Sequence, residues 1–109
     1  MAAAADYKLS LLSMAYPVGA SAVLEVKLTD MRTDAPFEGA VIFATRMDMA
    51  PDGMATMTSP VQVLPSTEPG LYRFSTDLVM AGNWRFSIAA KVQGELETVQ
   101  AHIVVEAQP

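Results

Sequence analysis

Apolar and polar residues alternate in short runs along this chain, and no helical apolar period lasts beyond a turn or two. In Ala22–Thr29 the even positions carry Ala22, Leu24, Val26 and Leu28 while the odd ones are mostly polar, as in a half-buried strand. Trp84, Phe86, Ile88, Ala90 and Val92 form the longest clean alternation. Tyr7, Leu9 and Leu11 predict a first strand, and Leu71–Thr76 predicts another with Tyr72 and Phe74 on one face. Val61 and Val63 mark a short strand between Pro60 and Pro65. Gly39–Met47 is more continuously apolar, and parity groups Val41, Phe43, Thr45 and Met47 on one face. A last strand, Leu96–Val105, directs Val99, Ala101, Ile103 and Val105 inward.

Turn signals separate these runs: Pro17-Val18-Gly19, Thr33-Asp34-Ala35-Pro36, Pro51-Asp52-Gly53, Glu68-Pro69-Gly70, Ala81-Gly82-Asn83 and Gln93-Gly94. About seven short strands at this spacing predict an all-β fold, an immunoglobulin-like antiparallel β-sandwich. The single tryptophan, Trp84, becomes a central core residue beneath both sheets. Neither a repeat nor a second domain is evident, so residues 1–109 are expected to form one domain, with residues 1–5 disordered.

Composition narrows the function. With 109 residues, 51% hydrophobic and 17% charged, the chain is long enough to bury a core without disulfide staples. Its net charge is −5, and its basic residues stand singly at Lys8, Lys27, Arg32, Arg46, Arg73, Arg85 and Lys91. No basic stripe is present to neutralise phosphates, which argues against nucleic acid and anionic membrane surfaces as partners. No apolar run approaches the ~20 residues that cross a bilayer, so direct membrane insertion is not expected. Cysteine is absent, which removes thiol nucleophiles and thiolate metal sites together.

Catalytic constellations are equally sparse. His102 is the only histidine, and its parity on the last strand turns it to solvent. A hydrolytic triad requires His102 beside a nucleophilic serine or threonine and a carboxylate, and no nucleophile-elbow sequence occurs. The glycines are isolated turn residues, and Asp48 and Asp52 alone cannot fill a calcium site. The chain is therefore read as non-enzymatic.

One concentration of unusual chemistry remains. Four of eight methionines, Met47, Met49, Met54 and Met57, fall within eleven residues around Pro51-Asp52-Gly53. If the turn reverses the chain, Met54 and Met57 return toward Met47 and Met49. Converging thioethers suit Cu(I) or Ag(I), which favour soft, uncharged donors, and suit zinc poorly. Met49 and Met54 flank the turn most closely and are the leading ligand candidates, with Asp48 and Asp52 adding negative potential. Two other readings stand beside this one. The methionines can fill gaps at the open end of a core, or offer an adaptable surface to a protein partner. Spacing alone does not choose between metal and non-metal roles.

From residue 39 onward the order of features resembles the YtkA-like family. The strand Gly39-Ala40-Val41-Ile42-Phe43-Ala44 leads to Met-Asp-Met and Pro-Asp-Gly-Met, then to Pro69-Gly70-Leu71-Tyr72, Ala81-Gly82-Asn83-Trp84-Arg85-Phe86 and Ile103-Val104-Val105. The best anchors, Tyr72 and Gly82-Asn83-Trp84, are structural, so the resemblance speaks first for the sandwich. It also implies a relation to FixH-type proteins and to copper and silver efflux adaptors. It further implies a periplasmic or otherwise extracytoplasmic setting, and a methionine-rich segment where Met47, Met49, Met54 and Met57 stand. The expectation is a monomeric Cu(I)- or Ag(I)-binding domain or metallochaperone serving a metal transport or efflux protein. The alternative is a non-catalytic accessory module of a larger extracytoplasmic assembly.

Overall fold

Strong alternation over residues 19–30, 71–78, 82–92 and 98–108 gives each of these segments one apolar row, and these rows face one another across a two-sheet sandwich. The computed structural model describes residues 7–37, 40–66, 68–92 and 98–109. Among these residues there are ten strands: β1 (Tyr7–Leu11), β2 (Ala15–Pro17), β3 (Gly19–Asp30), β4 (Ala35–Pro36), β5 (Ala40–Met49), β6 (Met54–Ser59), β7 (Val61–Leu64), β8 (Leu71–Leu78), β9 (Gly82–Val92) and β10 (Thr98–Gln108). The first sheet has the order β1-β3-β8-β7, with β4 also paired to β3, and the second has the order β2-β10-β9-β5-β6. The expectations for residues 1–5, for Gly39 and Leu96 as strand starts, and for the Gln93-Gly94 turn fall outside the described residues.

The all-β, immunoglobulin-like sandwich foreseen from the alternation is the observed fold. Two details differ. Three further short segments, β2, β4 and β6, join the sheets, and β2 runs parallel to β10 where antiparallel pairing was expected. That short parallel edge is continued by bonds from Glu106 N–H to the Met14 carbonyl (2.8 Å) and from Val18 N–H to the Gln108 carbonyl (2.8 Å).

The inward rows are those the sequence indicates. Leu24, Val26 and Leu28 of β3, Phe74 of β8, and Trp84 and Phe86 of β9 are all 0% exposed. Phe74 and Phe86 come from opposite sheets and meet edge to face, with centroids 5.3 Å apart, a geometry that aromatic quadrupoles favour. Trp84 donates its indole N–H to the Met80 carbonyl at 3.1 Å, so its burial leaves no polar atom unpaired. At Pro60 the chain passes from one sheet to the other. Thr76 holds this crossing by donating to the Pro60 carbonyl at 2.8 Å.

Strand β5 departs from simple parity. The register to β9 shifts between Ile42 and Ala44, leaving Phe43 as an extra residue in a bulge. Val41 and Phe43 therefore point to solvent, 67% and 58% exposed. Ala40 and Ile42 pack on the core instead. Beyond the bulge the alternation resumes one residue out of step, and Thr45, Met47 and Met49 turn inward. The single face assigned to Val41, Phe43, Thr45 and Met47 is thus split, because one inserted residue reverses every later side chain.

Candidate functional site

The methionine-rich run forms the end of the β5–β6 hairpin. Ala50–Asp52 is a short 3-10 turn with Pro51 near its start, and Gly53 follows in the left-handed region (φ 77°, ψ 13°). Gly53 N–H donates to the Ala50 carbonyl at 2.9 Å and closes the reversal. Proline supplies the fixed φ of the first turn, and glycine takes the left-handed position without steric cost.

Two carboxylates lock this turn. Asp52 accepts from Asn83 at two points, the backbone N–H at 2.9 Å and the side-chain amide at 3.2 Å, tying the turn to the start of β9. Asp48 is 0% exposed, yet its side chain leaves the outward face of β5. It accepts from Ala50 N–H at 3.0 Å, Arg46 Nε at 2.7 Å and Arg85 Nη2 at 3.2 Å. Burial pushes its pKa up, but the Ala50 N–H and the Arg46 and Arg85 guanidiniums outweigh this and hold it below the ordinary carboxylate value. Arg46 reaches on to the Ala55 carbonyl at 2.8 Å. The negative potential expected from Asp48 and Asp52 is therefore spent within the protein: two arginines neutralise one carboxylate, and Asn83 occupies the other.

The methionines divide by depth. Met47 and Met49 are 0% exposed members of the core. Met47 lies between Phe86 of β9 and Ser59 of β6 in register. Met57 is half-buried and packs against the same core, as does Met80. Met54 is 38% exposed. The fold brings Met49 and Met54 together as a cross-strand pair closing the hairpin. It does not bring Met47 beside Met54, since the register shifts after Asp48 and residues 55–57 are accommodated before Thr58 meets Asp48. Met14 and Met31, at 50% and 53% exposure, lie elsewhere on the surface.

Met49 has a neighbour that the sequence concealed. At Gly82 (φ +139°) an added Cβ would run into the Asp52 carboxylate and lie 2.8 Å from the Met49 ε-methyl. The β8–β9 turn and the methionine turn thus interlock through a position that only glycine fits. Gly82→Ala is expected to cost about 2 kcal/mol through strain and displacement of Asp52. Urea denaturation checks this, and a cost under a few tenths of a kcal/mol would mean the two turns are not interlocked.

His102 is exposed, as its parity required, and its Nδ1 lies 2.8 Å from Ser87 Oγ on the neighbouring strand. Among the described residues no carboxylate hydrogen-bonds His102, so the pair has no third member. Among the same residues, no three His, Asp or Glu side chains gather as metal ligands. Among the described residues no helix is long and apolar enough to cross a membrane. The Arg46–Asp48–Arg85 clasp and the Ser87–His102 contact escaped the sequence reading. An Arg at i−2 to Asp48 on the same strand face was a usable signal for the first of them. Arg85 and Ser87 become neighbours only once the β5–β9–β10 register is known.

The solved structure of the Lin-41 filamin domain is similar to this chain, with a TM-score of 0.54 at 16% identity, covering 94% of this chain and 92% of that one. At that identity the likeness speaks for the fold alone, an immunoglobulin-like sandwich. No curated protein matches the chain. The model of the YtkA-like family matches residues 1–89, taking in the methionine hairpin, Tyr72 and Gly82-Asn83-Trp84. The chain belongs to the YtkA-like family.

Proposed function

We propose that this domain is an extracytoplasmic, periplasmic-type Cu(I)- or Ag(I)-binding module that serves a metal transport or efflux protein, with Met49 and Met54 as its principal donors. Family and fold support a small accessory module. The observation that carries the finer reading is the Met49–Met54 cross-strand pair on a turn fixed by Asp52 and Gly53. Met49 is 0% exposed, and its cross-strand partner Met54 is partly open to solvent. The unbranched Met54 side chain has three rotatable bonds with which to fold over Met49 and close on an ion. Two neutral sulfurs suit a soft monovalent ion that accepts few ligands, and they need no deprotonation. Met57, three residues after Met54 on the same strand and half-buried, is the next candidate donor. Met47 is as enclosed as Met49, but its partner in register on β6 is Ser59 rather than a methionine, so it stands outside the principal pair. Recruitment is not catalysis, and the module is read as non-catalytic.

The test is competition for Cu(I) against a chromophoric chelator under reducing conditions. Met49→Leu and Met54→Leu should each weaken binding by about tenfold, or about 1.4 kcal/mol. Both retain a hydrophobe of similar volume, so stability should fall by less than about 1.5 kcal/mol. Met31→Leu, at an exposed turn, should bind as the unsubstituted chain does. Unchanged affinity in the Met49→Leu/Met54→Leu double variant would remove the hairpin as the site.

A further inference from the structure

The outer face of the second sheet carries a feature apart from the methionine side chains. Strands β5, β9 and β10 align there in rows across the sheet: Val41–Lys91–Thr98, then Ala44–Ala89–Gln100, Arg46–Ser87–His102 and Asp48–Arg85–Val104. Where Ala44 and Ala89 stand, the side chains end at a methyl group and leave a depression of about 210 Å³. Arg46, Ser87, Gln100 and His102 form its polar rim.

Charge in these four rows opposes that of the whole molecule, with Glu106 the next outward residue along β10. The chain carries −5 overall, yet three of its seven cations, Arg46, Arg85 and Lys91, stand in these rows, with Arg46 lining the depression. The one carboxylate among these rows, Asp48, is already saturated by Ala50, Arg46 and Arg85. The rim is also held in place before any ligand arrives. Bonds from Nε to Asp48 and from Nη2 to Ala55 fix the Arg46 guanidinium and leave Nη1 available. The 2.8 Å contact between Ser87 Oγ and His102 Nδ1 orients the imidazole ring, and in the tautomer that accepts from Ser87 the Nε2–H is a donor for a ligand. Preorganised donors lose little freedom on binding.

The apolar surface continues past the depression. Phe43, thrust outward by the bulge, is 58% exposed beside Ala44; Val41 and Val104, in the flanking rows, are 67% and 50% exposed. A free small anion would use the polar rim and leave these side chains wet, whereas a chain with alternating acidic and apolar residues would use both. We propose that this face docks an extended acidic, partly apolar peptide segment of a partner protein, one of whose carboxylates seats between Arg46 and His102. Strands β5, β9 and β10 are interior to the sheet, so recognition runs through side chains rather than by adding a strand to an edge.

The test is an amide NMR titration of the intact chain with a short blocked peptide of alternating glutamate and valine. Two comparison arms use the same peptide with glutamine for glutamate, and sodium acetate. Shifts should centre on residues 44–46, 87–89 and 100–102, with the glutamine peptide weaker by at least about tenfold. Ala89→Leu, which fills the depression from the solvent side, should weaken the acidic peptide by a similar factor. His102→Ala, at an exposed position, should weaken it several-fold and guards against any folding defect in the leucine variant. Equal binding of the glutamine peptide, or acetate binding as tightly as the peptide, would overturn the proposal. So would undiminished binding by both variants.

Discussion

Truncating Trp84 to alanine should lower stability by about 4 kcal/mol, the scale expected when a large aromatic is removed from a packed core. The side chain is 0% exposed on the central strand of the second sheet. Its removal empties space between the sheets and strands the Met80 carbonyl that its indole N–H serves. For a domain of this size the change corresponds to a fall of roughly 20 °C in Tm, a large share of a typical 5–15 kcal/mol total. Trp84→Phe retains most of the apolar area but loses the hydrogen bond, and about 2 kcal/mol is expected. Urea denaturation measures both. A cost below about 1 kcal/mol for the alanine variant would show that Trp84 is not the keystone of the packing.

Asp48→Asn is the second large effect, expected at about 3 kcal/mol near neutral pH. Asparagine keeps the shape but removes the charge that holds two arginines, on a side chain that is 0% exposed while theirs are 52% and 37% exposed. The cost stays at this moderate level because the exposed guanidiniums regain water when the carboxylate is lost. The pH dependence follows from the depressed pKa of Asp48 in the folded protein. A carboxylate held low contributes stability that is fully present above its unfolded pKa of about 3.9 and is lost as pH falls through the folded value. The gap between the unsubstituted chain and Asp48→Asn should therefore be widest above pH ~4 and close on acidification below it. A gap that stays constant into strong acid would mean that the Asp48 charge is not what stabilises the clasp.

The fold was legible wherever side-chain alternation was uninterrupted. Trp84 to Val92 and Ala22 to Leu28 announced their buried faces, because period-two burial writes itself into a strand on a half-covered sheet. The reading faltered at β5, where the bulge at Phe43 exchanged the inner and outer rows; a single unpaired residue leaves no mark in an apolar segment. The turn at Pro51-Asp52-Gly53 was readable from its residue types, and so was the return of Met54 toward Met49. Depth was not: the same four methionines spread from full burial to an exposed edge. Nor was the electrostatics. Arg46, Arg85 and Lys91 look scattered along the chain, and only the β5–β9 register gathers them on one face. Asp48, which the sequence marks only as a source of negative potential beside the turn, is the most enclosed carboxylate among the described residues.

The hairpin's role is tested most directly by following the methionine methyl resonances while Ag(I) is added under non-oxidising conditions. The expected result is a shift of Met49 and Met54, with smaller changes at Met57 and Met47, saturating at a simple metal ratio. The exposed Met14 and Met31 should stay in place. Unmoved Met49 and Met54 signals, or shifts confined to Met14 and Met31, would contradict a thioether site and return the hairpin to a purely packing role.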